Sequence, residues 1–203
     1  MKRKLWQRLT NPSSRYSMGA LLLFGGLFGV LAWGGFNWSL DLANTESFCI
    51  SCHEMRDNVY QELKKTIHYS NPAGVRATCP DCHVPRPWIY KMIRKIYATN
   101  QLFHHLAGTI DTKKEFEAHR LELAKGVWAT MKATDSRECR NCHHTKSMDL
   151  ASQSPRAAKR HQEAATEHKT CIDCHQGIAH KDVYKEMLKQ QEAEEQPDFN
   201  VDF

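Results

Sequence analysis

Residues 49–55 read CISCHEM, and the frame Cys-x-x-Cys-His returns three more times, at Cys79–Cys82–His83, Cys139–Cys142–His143 and Cys171–Cys174–His175. All eight cysteines fall in this frame. Zinc knuckles use paired thiols, but a zinc site needs no histidine directly after every second cysteine. Disulfides suit an exported chain and also leave the histidine unexplained. Covalent haem accounts for each part of the frame. Two thiols add across the two vinyl groups of one haem, and the next imidazole meets the iron. The expectation is four haem c groups. Cys49, Cys52, Cys79, Cys82, Cys139, Cys142, Cys171 and Cys174 hold them, with His53, His83, His143 and His175 at the irons. Met55 is extra, because only the first motif carries it. A thioether on that iron raises its reduction potential relative to two imidazoles. The plainer alternative packs Met55 against the porphyrin and leaves His53 as the ligand.

A low-spin haem needs a second axial ligand, and eight histidines lie outside the motifs. Successive first cysteines stand 30, 60 and 32 residues apart, a short, long, short rhythm. His68 lies eleven residues before Cys79, and His161 ten before Cys171. The second motif of each pair also shares an aspartate, in CPDCH and CIDCH. The pattern reads as an internal duplication with halves at about 45–110 and 111–181, each holding two haems. It favours His68 and His161 as distal ligands. His180, five residues past His175, is expected beside the fourth haem or its neighbour. His119, between the halves, is a further candidate. His104, His105, His144 and His168 read as surface or supporting residues, the ordinary fate of a histidine.

Elements must carry these groups. The chain has 203 residues, a formal charge of +5 and few large aliphatic residues beyond position 39. A polypeptide core is thin for that length, and cofactors would fill it. The fold expected is mainly α, with long loops and no convincing strand. Pro87 opens a helix that ends at Gly108, with Trp88, Met92, Ile96, Leu102 and Phe103 among its apolar positions. Thr112 and Glu115 form a capping box for a second helix. Its apolar face carries Phe116, Leu123, Val127 and Met131, and it stops near Asp135. The haem domain is read as 39–185. A charged tail follows at 186–203, with its end mobile.

Residues 1–17 are basic, and 18–38 carry no charge over 21 positions. As a helix they would span about 31 Å, enough to cross a bilayer. Lys2, Arg3, Lys4, Arg8 and Arg15 precede the run without an acid, whereas Asp41 and Glu46 follow it. That asymmetry puts the N-terminus in the cytoplasm and the haem domain across the membrane. Trp33 and Trp38 suit the far interface. A cleaved signal is the rival, but the run is long and no small-x-small site follows it cleanly. Many of the 28 Lys and Arg would pair with haem propionates, so the basic balance argues for no nucleic acid.

The stretches NTESFCISCHEMRDNVYQ, GVRATCPDCHVP, FEAHRL, DSRECRNCH and TCIDCHQGIAHK resemble the NapC/NirT family of membrane-anchored tetrahaem quinol dehydrogenases. The resemblance covers about residues 18–181 and is strongest to the branch that serves periplasmic nitrate reductase. It implies one transmembrane helix in the bacterial inner membrane and a helical periplasmic domain with haems in two pairs. Electrons pass from menaquinol or ubiquinol to a soluble periplasmic reductase: nitrate reductase, nitrite reductase or several. In the nitrite-reductase branch the methionine of C-x-x-C-H-x-M binds the first iron and the motif histidine is released. Met55 and His53 match those positions. Lys95 matches a lysine of the quinol pocket. The family's acidic pocket position falls on Gln101, which leaves Lys95, a propionate or water to take the proton. His68, His161, His180 and His119 match distal positions. A homo-oligomer is compatible with the sequence. A terminal reductase acting on a small substrate is the rival enzyme class, but its open haem would sit beside the anchor. A purely structural haem protein gives no reason for four closely spaced groups.

Overall fold

The computed structural model describes residues 15–195, and contacts group the chain into two units divided between Asn44 and Thr45. Lys2, Arg3, Lys4 and Arg8, and the tail end expected to be mobile, lie outside the described residues. In the first unit, helix α1 (Met18–Leu42) starts where the Ser17 hydroxyl accepts the Ala20 N–H at 3.2 Å. It runs four residues past Trp38, since nothing in Ser39–Leu42 interrupts the hydrogen-bond ladder. It closes at Ala43, whose N–H bonds the Ser39 and Asp41 carbonyls. None of its residues is buried within the protein. Its 25 residues give it about 37 Å, and it is long and apolar enough to cross a membrane.

The second unit is built from helices and turns, with no strand among the described residues. Short α2 (Glu46–Cys49) is capped by Thr45, whose hydroxyl accepts the Phe48 N–H. A π-turn (Met55–Val59) leads into α3 (Tyr60–Leu63), and α4 (Cys79–His83) is the second motif itself. Then come α5 (Trp88–Leu106) and α6 (Lys113–Ala133), as the caps at Pro87 and Thr112 predict. Thr112 and Glu115 make the reciprocal capping bonds at 2.9 and 3.2 Å. Gly108 ends α5 in the left-handed region, at φ 64°. Helix α7 (Pro155–Thr166) has Ser154 as cap and proline in its first turn. Helix α8 (Tyr184–Glu195) completes the described chain. The third and fourth motifs sit on single 3-10 turns, Cys139–Asn141 and Cys171–Asp173.

Among the described residues, five apolar side chains form the buried core: Leu63, Phe116, Leu121, Ile172 and Val183. Of the predicted apolar face of α6, only Phe116 is buried, while Leu123 is exposed. On α5, Trp88, Ile96, Leu102 and Phe103 are all exposed to protein-free space. Polypeptide packing alone leaves these faces uncovered, as the sequence leads one to expect of helices that pack on cofactors.

Candidate multihaem site

Each motif is held by local bonds. The aspartate shared by CPDCH and CIDCH is a cap. The Thr78 N–H and hydroxyl both donate to Asp81, at 2.9 and 2.6 Å. Thr170 does the same to Asp173, at 2.8 and 2.9 Å. The pattern Thr-x-x-Asp at the second and fourth motifs is the signal that could have revealed this role from sequence. Lys132, at the end of α6, adds an ion pair to Asp173 at 2.8 Å. Past α6, Asp135 and Ser136 turn the chain with φ of 51° and 48°. The fully buried Ser136 hydroxyl then accepts the Ile172 N–H at 3.1 Å, which fastens the fourth motif to the third.

The motifs follow one another in space in chain order. Cys79 hydrogen-bonds Cys49 and pulls that thiol down to about 7. Cys82, pushed up to about 11 chiefly by burial, feels Cys139 and Cys142 next to it. Cys139 in turn feels Cys171. All eight cysteines lie outside any disulfide.

Three pairs of histidine rings face each other across the second, third and fourth motifs. His83 and His180 have ring centroids 6.2 Å apart, His68 and His143 6.3 Å, and His161 and His175 5.9 Å. Two metal–imidazole bonds of roughly 2.0–2.1 Å, plus the ring radii, require a separation of about 6 Å. Ligating imidazoles must be neutral, and burial pushes His83 down to about 4. Burial lowers His175 and His180 as well. His161 Nδ1 lies 2.6 Å from the Gln153 amide oxygen, which aims Nε2 at His175. The residues therefore fit haem. Thiol pairs, facing imidazoles and apolar faces left bare by protein occur together, and His143 and His175 remain exposed at their edges.

Two pairings cross the expected halves. His68 faces the third motif and not the second. His180 was expected by the fourth haem or its neighbour, and faces the second motif. Only His161 stays within its own half. Sequence separation was a poor guide because the loop after His175 doubles back. Gly177, at φ 72°, makes that turn, and a Cβ there would stand 2.7 Å from Asp182 Cβ. Gly177→Ala is expected to cost ~1–2 kcal/mol in backbone strain alone. Thermal unfolding should show a fall in Tm of about 4 °C or more.

The first motif is arranged differently. His53 Nε2 lies 2.9 Å from the Asp111 carbonyl and 3.0 Å from its carboxylate. That carbonyl holds the imidazole above its ordinary value. Met55 begins the π-turn and is exposed. His105, read from sequence as a surface or supporting residue, stands 6.1 Å from His53, ring to ring. Its Nδ1 is 2.6 Å from a carboxylate oxygen of buried Glu54. No spacing rule pointed to His105, because α3, α4 and most of α5 lie between it and the motif.

Lys95, on α5, lies close enough to Cys49 to interact with it, and burial lowers its ammonium below the ordinary range. Gln101 accepts a hydrogen bond from Arg94 at 3.3 Å. His119 turns back onto its own helix, with Nδ1 2.9 Å from the Glu115 carbonyl. Beside it, nearly buried Arg120 grips Glu62 at 2.8 and 3.0 Å and Glu117 at 2.7 and 2.9 Å. Glu117 is held down at about 2 by Arg120 first and Lys181 second.

Residues 11–185 match the NapC/NirT cytochrome c family, N-terminal region. The chain is 58% identical over 172 residues to the denitrification system component NirT of Stutzerimonas stutzeri, covering 85% of this chain and 86% of that one. It is 53% identical over 179 residues to the cytochrome c-type protein NapC of Escherichia coli K12, covering 88% and 89%. The cytochrome c-type protein TorC of the same organism is 44% identical, and the match spans 46% of its longer chain. No solved structure matches the chain significantly. With its motifs, its helical fold and these relatives, the chain belongs to the NapC/NirT cytochrome c family.

Proposed function

We propose that this chain is a membrane-anchored tetrahaem cytochrome c that oxidises quinol and relays the electrons to a soluble periplasmic reductase. The observation that carries this reading is the succession of four touching motifs, with facing imidazoles, that begins seven residues beyond a membrane-length helix. When bound, four haem c groups would supply one-electron carriers. The chain's own residues hold, orient and cover them.

In this reading His83 and His180 serve the second iron, His143 and His68 the third, and His175 and His161 the fourth. The ring separations support each pair. Met55 takes the first iron, which fits the engagement of His53 Nε2 by Asp111. His119 stays a further candidate, because the Glu115 carbonyl holds its Nδ1 and leaves Nε2 for a ligand role. Lys95, beside the first motif, donates a hydrogen bond to a quinol oxygen and so positions it. Gln101 has no carboxylate to offer and its amide is taken by Arg94, so the two quinol protons leave by water. The basic residues before α1 keep the N-terminus in the cytoplasm and the haem domain in the periplasm.

Nitrate reductase is the partner proposed first, because NapC relatives match over most of the chain. The 58% identity to a denitrification component supports nitrite reductase as the second reading. Mixing the quinol-reduced protein with each reductase and timing haem reoxidation separates the two. For the entry site, Lys95→Gln is expected to slow quinol-driven haem reduction about tenfold, the loss of ~1.4 kcal/mol of positioning energy. Reduction by dithionite should be unchanged. An unaltered quinol rate removes Lys95 from the site.

A further inference from the structure

His180 lies 97 residues beyond His83, on the loop between the fourth motif and buried Val183, yet its ring centroid stands 6.2 Å from that of its partner. Burying a lone imidazole does not specify such a placement, so something else must fix the loop. The residue after His180 shows what does. The Lys181 backbone N–H donates to Glu62 Oε2 at 3.0 Å. That same oxygen accepts from Arg120 at 3.0 Å, and the other Glu62 oxygen accepts from Arg120 at 2.8 Å. Glu117 takes the remaining side of the guanidinium and accepts from Lys181 Nζ at 3.3 Å. Two cations and two carboxylates thus close a neutral quartet joining α3, α6 and the loop after the fourth motif.

Resting on the ligand reading given above, we infer that Arg120 is a positioning residue for the second haem. By holding Glu62 in place against the Lys181 N–H, it delivers His180 to the iron opposite His83. Arginine suits the task, since its planar fork fixes both Glu62 oxygens where a lysine would hold only one. Arg120 is 5% exposed, so its own charge is tolerable only with both carboxylates present. Without it, Glu62 and Glu117 are like charges at close quarters. Glu62 then swings to solvent, the Lys181 N–H loses its acceptor and the loop lets go.

The test uses the full haem-loaded chain and reads spin state by magnetic resonance, with carbon monoxide binding to the reduced form as a second probe. His180→Ala supplies the reference: one haem that is low-spin in the parent chain becomes high-spin and binds carbon monoxide, in addition to the first haem, for which Met55 alone is assigned. Arg120→Met is expected to reproduce that added signal at full haem content, with the third and fourth haems still low-spin. Glu62→Gln, a milder change that cannot keep both bonds to Arg120, is expected to convert a smaller fraction of the same haem. Should Arg120→Met fail to accumulate, the Glu62→Gln spectrum decides. If His180→Ala converts one further haem while the clamp variants keep the parent spectrum, the role of Arg120 is overturned and the ligand reading stands. If His180→Ala itself leaves the parent spectrum unchanged, the ligand reading fails, and the clamp role with it.

Discussion

Replacing Cys79 and Cys82 together by serine is expected to abolish the folded protein, and not merely to remove one haem. The second motif stands at the centre of the succession, with Cys49 against Cys79 on one side and Cys139 and Cys142 beside Cys82 on the other. Its histidine is also the target of the loop that carries His180. The described polypeptide buries only five apolar side chains, too few to hold more than 150 residues without cofactors. Losing the central group exposes the neighbouring faces of α5 and α6 together. Circular dichroism of the purified variant should show the helical signal lost, and the yield should fall to near zero. A soluble, helical chain with three haems would mean that the polypeptide has a core of its own.

The second large effect concerns delivery of the donor. Releasing residues 45–203 from α1 is expected to slow reduction by quinol in vesicles by about 10²-fold or more, while dithionite reduction and haem content stay the same. The chain between Leu42 and Cys49 is short, so the anchor keeps the first motif at high effective concentration near the bilayer. Once that tether is cut, every encounter with the lipid-soluble donor is bimolecular. Comparable vesicle rates with and without α1 would show that quinol reaches the haems without the anchor.

Much of this arrangement could be read from the sequence because it is written locally. The haem frames, the caps at Pro87, Thr112 and Glu115, and the apolar run of α1 all lie within a few residues of what they determine. Helix α1 continues four residues beyond the 18–38 span, since the hydrogen-bond ladder does not stop where a bilayer-length run does. What could not be read is the set of encounters through space. His68 facing His143, His180 facing His83 and His105 facing His53 join segments far apart in the chain, and no periodicity records them. The duplication marked His68 and His161 as matching histidines, but not which motif each would face: His68 faces the third and His161 the fourth, while the loop beyond Gly177 brings His180 to the second. Arg120 was hidden for a related reason: an arginine on a charged helix reads as solvated until its partners from α3 and the last motif are seen.

The exchange of histidines between the two halves has a consequence for how the molecule is made. In the order of synthesis, His83 is made 97 residues before His180 exists to meet it. The first half, finished alone, would hold a second haem lacking its opposite partner and a spare imidazole, His68, with nothing to bind. Biogenesis must therefore shelter an incomplete intermediate until the last loop arrives. An ancestral doubling of a two-haem unit could not have kept this wiring unchanged, since neither half is now self-sufficient.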